Sequence, residues 1–133
     1  MKRRLCLLLS LLPWWRAAAA APPALAPALA RAQALREEAV RAGDQAYGAV
    51  VWRDGVIVGE APSRVVTRKD WTAHAEREAL RDAQRRLGRD DLSGCLLVSS
   101  SRPCAMCEDS AARVGIARMF YGEGVDAGPP QAR

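Results

Sequence analysis

One histidine, His74, serves the whole chain of 133 residues. A centre built from several imidazoles is excluded, so any metal held here must draw on thiols or carboxylates as well. Also missing is an apolar run of the roughly 20 residues that a membrane-spanning helix needs. Leu5 to Leu12 comes nearest, but Ser10 interrupts it and Pro13 and Arg16 close it. The length excludes two full domains, and no internal repeat is visible. Four cysteines are too few and too unevenly spaced for a disulfide framework, with Cys6 near the N-terminus and Cys104 and Cys107 close together. Acidic residues are absent from positions 1 to 36, which hold six basic ones. The formal net charge of +5 therefore belongs to the N-terminal quarter, and residues 37 to 133 carry 14 positive against 15 negative charges. A body this close to neutral gives little support for phosphate-dominated affinity, which makes nucleic acid an unlikely partner.

What the N-terminal quarter does have is the grammar of an export leader. Lys2, Arg3 and Arg4 form a positive start, the leucine-rich run follows, and small residues fill 17 to 32. Ala28-Leu29-Ala30 offers a cleavage site, giving an expected leader over 1–30 and a body from Arg31. The Arg3-Arg4 pair is compatible with twin-arginine export. The expectation is a secreted or periplasmic protein, or a cytoplasmic one if the leader does not work.

The rest reads as an alternation of helices and strands. A helix is expected over 31–43, with Leu35, Ala39 and Val40 on one face and Gly43 as its stop. Tyr47 to Trp52 and Val56 to Gly59 form a hairpin around Arg53-Asp54-Gly55. A polar loop fills 61–71, a helix runs from about Thr72 to Leu87, and Gly88 ends it. Leu96 to Ser99 is a strand, Cys104 to Val114 a helix, and Ala117 to Tyr121 another strand. Strands and helices alternating in the second half imply parallel crossovers and a layered α/β domain over 31–124. Residues 125–133, rich in Gly and Pro, are expected to be a disordered tail.

Chemistry concentrates in two short segments. The inner stripe of the second helix, Ala79, Leu80, Ala83 and Leu87, continues back one turn to Glu76. A carboxylate on that buried side has its pKa raised and becomes a usable proton carrier. Two residues earlier stands His74. Pro103-Cys104-Ala105-Met106-Cys107 adds two thiols in the first turn of a helix, whose positive end favours thiolate. One C-x-x-C alone is compatible with a redox pair, half a structural zinc site or chance. Together with His74 it gives three ligands and leaves one open position on a tetrahedral zinc ion, the arrangement of a catalytic site.

H-x-E followed by P-C-x-x-C is a zinc-deaminase signature. His74-Ala75-Glu76 and Pro103-Cys104-Ala105-Met106-Cys107, with Gly48-Ala49-Val50, Thr72-Ala73, Asp91 to Cys95 and Phe120-Tyr121-Gly122, resemble the cytidine/deoxycytidylate deaminase superfamily. The guanine deaminase and tRNA adenosine deaminase branch is the nearest in look. The resemblance implies a three-layer α/β/α cytidine deaminase-like fold with a mixed sheet, and Zn2+ held by His74, Cys104 and Cys107. It implies that the zinc supplies hydroxide near neutral pH, that Glu76 shuttles the proton, and that ammonia is released. The substrate expected is a small-molecule nucleobase or nucleoside, purine preferred. The alternatives are adenosine in tRNA, or a deaminase-like zinc module without activity.

Departures from the family pattern bear on the substrate. Ser63 stands where the branch usually has an asparagine, and Ser63, Ala75 and Trp71 are the candidate substrate contacts. Trp71 either stacks on a base or anchors the loop on the core. Arg102 replaces a common glutamate, as an anion-recruiting group or as a surface change. Family members usually continue past Tyr121-Gly122 into a further strand and helix, so the C-terminal strand and helix are expected to be missing. The exposed sheet edge would suit a partner chain, as in a homodimer.

Overall fold

A computed structural model describes residues 25–133; the N-terminal leader expected over 1–30 lies outside them as far as residue 24. Three helices, α1 (Ala26–Arg41), α2 (Ala75–Leu87) and α3 (Ala105–Arg113), alternate with five strands, β1 (Gly48–Arg53), β2 (Val56–Pro62), β3 (Leu96–Ser99), β4 (Arg118–Tyr121) and β5 (Val125–Gly128). The sheet order is β2-β1-β3-β4-β5. Only β3 and β4 run parallel, and the other neighbouring pairs are antiparallel. The sheet is therefore mixed, as expected. None of the helices among the described residues is long and apolar enough to cross a membrane.

Strand periodicity creates the layers. Successive side chains of a strand point to opposite faces. Ala49 and Val51 of β1, Leu97 of β3 and Met119 of β4 enter one core with Ala79, Leu80 and Ala83 of α2 and Ala111 of α3. Val50, Trp52, Val98 and Phe120 enter the other, against Leu25, Ala28, Ala32 and Leu35 of the α1 segment. Both faces of β1 are covered, which is why it reads as the unbroken run Gly48-Ala-Val-Val-Trp52 rather than as an alternation. Against β2, α2 comes so close that a Cβ placed on Gly59 would stand 2.6 Å from the Ala83 Cβ. Any larger residue there would push the helix off the sheet.

Three elements depart from the sequence expectation. First, α1 starts at Ala26, not Arg31, and buries Leu25 and Ala28. Pro27 is accommodated because the first turn has no internal amide bonds to lose. Of the alanines that resemble a cleavage site, Ala28 packs in the core and with Ala32 lets this helix lie close to the sheet, whereas Ala30 faces outward. Secondly, α2 starts at Ala75, because His74 is extended (φ −60°, ψ 147°) and Asp70 Oδ1 accepts from both the amide and hydroxyl of Thr72 at 2.9 and 2.8 Å. A closed turn thus precedes the helix; Gly88 does end it, in the left-handed conformation (φ 65°).

Thirdly, the expected missing strand and disordered tail are replaced by β5. Residues 122 to 124 reverse the chain, and Tyr121 pairs with Val125. Arg118 and Asp126 join across the pair at 2.8 Å. Pro129 and Pro130 fall after the strand has ended, where they remove no ladder bond. The last residues then reach α3, with the Gln131 and Arg133 amides donating to Glu108 and Asp109 at 3.0 and 2.9 Å.

Candidate metal centre and substrate cavity

Two helix starts face each other at the end of the sheet. His74 is the N-cap residue of α2 and Cys104 that of α3, so each side chain leaves the chain just before the first helical turn. Cys107, one turn into α3, is fully buried. His74 Nδ1 lies 3.6 Å from Cys104 Sγ and 3.5 Å from Cys107 Sγ, and the three ligand atoms all fall within 4.8 Å of one another. With Zn–S near 2.3 Å and Zn–N near 2.0–2.1 Å, a tetrahedral ion separates its nitrogen from each sulfur by about 3.6 Å. The donor set therefore fits zinc in distance as well as in kind.

Electrostatics sharpen that fit. Burial pushes the Cys107 thiol well above its ordinary pKa, and the neighbouring Glu76 and Cys104 push it further. A cation bound there would favour the thiolate, and its binding would release the proton. Glu76, in the first turn of α2, is buried and has Oε2 3.7 Å from Cys107 Sγ. Burial raises its pKa, against its own backbone amide, the His74 charge and the Cys107 contact. A carboxyl in such an environment holds a proton more readily than a free one, which suits a proton carrier.

A cavity of about 270 Å³ opens over these groups. His74, Glu76 and Cys104 form its base, with Tyr47, Val65, Trp71, Gln45 and Arg102 around it. Trp71 is 82% exposed, so it does not anchor the loop on the core; it stands as a free wall. The other two expected substrate contacts are elsewhere. Ser63 is buried, and its hydroxyl donates to Asp44 Oδ1 at 2.9 Å. Ala75 is packed into the core between α2 and the sheet. Arg102 extends over the Tyr121 ring, 6.0 Å from its centroid, while remaining on the cavity wall. Gln45 and Tyr47 escaped the sequence reading. The sequence puts Tyr47 at the start of the hairpin's first strand, but in the structure it precedes β1 and is 43% exposed, a position that no periodicity marks.

A His-Cys-Cys group able to hold a metal ion thus lies beside a buried carboxylate, at the end of a sheet covered by helices on both faces. The family model described as "Cytidine and deoxycytidylate deaminase zinc-binding region" matches residues 25–123, and the chain belongs to that family. It is 45% identical over 80 residues to guanine deaminase of Bacillus subtilis, an alignment covering 59% of this chain and 51% of that enzyme. The crystal structure of the Bacillus subtilis enzyme superposes with a TM-score of 0.68 at 40% identity, over 71% of this chain and 61% of that one. A tRNA-specific adenosine deaminase of Aquifex aeolicus is 42% identical over 76 residues, covering 56% of this chain and 50% of that enzyme. The chain thus matches about half the length of these two enzymes.

Proposed function

We propose that this chain is a zinc-dependent hydrolytic deaminase of a free nucleobase or nucleoside, with a purine preferred. The observation that carries it is the juxtaposition of His74, Cys104 and Cys107 at zinc-binding distances with the buried Glu76 under one cavity. Zinc held by these three residues would bring the pKa of a bound water from 15.7 to about 7. Glu76 accepts one proton of the water as its oxygen bonds to the amino-bearing ring carbon, and delivers that proton to the ring nitrogen. It then passes the remaining hydroxyl proton to the amino group, so that the C–N bond breaks, a carbonyl forms and ammonia leaves. Trp71 and Tyr47 present aromatic surfaces to a planar base.

The purine preference is supported by the relation to guanine deaminase. The relation to the Aquifex enzyme favours a second reading, adenosine in tRNA. The near-neutral body weighs against it, because that reading needs a phosphate-binding surface. Export is proposed on the grammar of the N-terminal residues, and a leader compatible with α1 must end before Leu25. Cell fractionation of the mature protein tests this separately.

The deciding experiment purifies the chain, measures zinc per chain, and follows ammonia release from guanine, adenine, adenosine, cytosine, cytidine and tRNA, with Glu76→Ala alongside. Purine turnover that disappears in the variant is the expected result. Zinc bound without turnover of any of these would instead support the inactive module.

A further inference from the structure

Glu78 is a charged residue buried to 2% exposure, two positions beyond Glu76 and outside the cavity. Its carboxylate is clasped by three arginines: Arg81 Nη1 donates to Oε1 at 2.7 Å, while Arg68 Nη1 and Arg64 Nη1 reach Oε2 at 2.9 and 3.4 Å. Arg81 belongs to α2 itself. Arg64 and Arg68 come from the loop over residues 63–74, which carries two walls of the cavity, Val65 and Trp71, and ends at His74.

That loop is closed internally. The Arg64 amide donates to the Ala73 carbonyl, Arg68 to Arg64, and Asp70 to Val65, each at 3.0 Å. It therefore behaves as a unit that has to be attached to its surroundings. Apolar attachment is sparse, because Val65 and Ala73 are buried whereas Val66 and Trp71 are exposed. Its first half is tied by Ser63, whose amide donates to the Tyr47 carbonyl and whose hydroxyl donates to Asp44, each at 2.9 Å, and by the Thr67 amide, which donates to Asp44 at 2.8 Å. A further polar attachment, to α2, is Glu78. Lys69 is held at φ 52°, a conformation that non-glycine residues keep only when their surroundings over-determine it.

A buried ion pair is a poor means to stability, since desolvation offsets most of the attraction and an apolar residue of similar volume often does as well. What an ionic clasp supplies is direction. We propose that Glu78 is a positioning residue, which through Arg64 and Arg68 holds the 63–74 loop against α2 and so fixes Val65 and Trp71 as the wall of the substrate cavity. This rests on the cavity being the substrate site.

The test compares wild type, Glu78→Gln and the double variant Arg64→Met/Arg68→Met, the last leaving Glu78 paired with Arg81. KM and kcat on the best purine substrate, zinc per chain, and the sites of brief trypsin cutting are measured. Both variants are expected to raise KM about tenfold, with kcat within about twofold, zinc unchanged, and new cleavage confined to the loop after Lys69. KM and cleavage unchanged in the double variant would overturn the proposal. So would loss of zinc with cutting throughout the chain in the double variant, which is the mark of a merely structural role. Wild type that turns over none of the substrates removes the proposed function, and with it this inference. Wild-type turnover with unaltered variants removes this inference alone.

Discussion

His74 Nδ1 stands 3.5 Å from Cys107 Sγ across the gap between the starts of α2 and α3. This distance matches the nitrogen-sulfur separation of a tetrahedral zinc site, and burial pushes the Cys107 thiol up, so that binding of a metal there competes with a proton. Metal uptake should accordingly release protons and weaken as pH falls. Titration with a chromophoric competitor at pH 8, 7 and 6 is expected to show affinity dropping at each step, with Cys107→Ser far weaker throughout. A pH-independent affinity would show that the thiols are not the ligands.

Glu76 touches Cys107, and the proposed function gives it the role of proton carrier rather than of metal ligand. Glu76→Gln keeps the shape of the side chain and removes its ability to carry a proton. We expect kcat to fall by about 10²–10⁴-fold. Zinc content should stay as in wild type. Equal loss of zinc and activity would move Glu76 into the metal site.

Trp71 offers a cleaner separation of binding from folding. At 82% exposure its truncation should change stability by no more than about 0.5 kcal/mol. If a base stacks on it, Trp71→Ala weakens binding by about 1–3 kcal/mol, seen as KM rising 5- to 150-fold. Unchanged KM with unchanged melting temperature would show that the indole does not meet the substrate.

The residues of the metal centre were legible because their chemistry survives without a fold. One histidine, one C-x-x-C and a carboxylate on an apolar stripe have few other joint uses. The layers were legible too, through the alternation of strand and helix segments in the second half and through strands such as β1 that are apolar along their whole length. Three features were not. Ala28 and Ala32 carry the same small side chains whether they end a leader or press a helix onto a sheet. The pairing of β5 depends on Arg118 and Asp126 meeting across a reversal at Gly122 to Gly124, which composition alone disguises as a loose tail. In the sequence Arg64 and Arg68 are only two residues of a polar loop, and it is the fold that brings them to Glu78, 14 and 10 residues away.

The α1 boundary makes a further prediction. A chain beginning at Arg31 lacks Leu25 and Ala28, and so uncovers part of the core beneath Val50 and Phe120. Losing a buried leucine typically costs about 2–5 kcal/mol. Chemical denaturation should therefore show chains starting at residues 31 and 25 differing by at least that much. Equal midpoints and slopes would restore Ala30 as a tolerable end for the leader.

Asp44 gives the acid limb of stability. Partial burial works to raise its pKa, but the Thr67 and Gln45 amides and the Ser63 hydroxyl bond to the carboxylate and outweigh it, leaving a value of about 2 against an ordinary 3.8. The folded value lies below the unfolded one. The contribution is therefore complete above about pH 4 and disappears as pH falls through 2. Asp44→Asn should cost about 1–2 kcal/mol at pH 7 once partial exposure is allowed for, and progressively less from pH 4 to pH 2. Urea midpoints of the two proteins across pH 2 to 7 check the sign. Because Ser63 and Thr67 open the loop that carries Trp71, the variant should also raise KM at neutral pH, where the lost contacts are at full strength. A difference between the proteins that persists unchanged to pH 2 would mean that the Asp44 charge is not what ties this loop down.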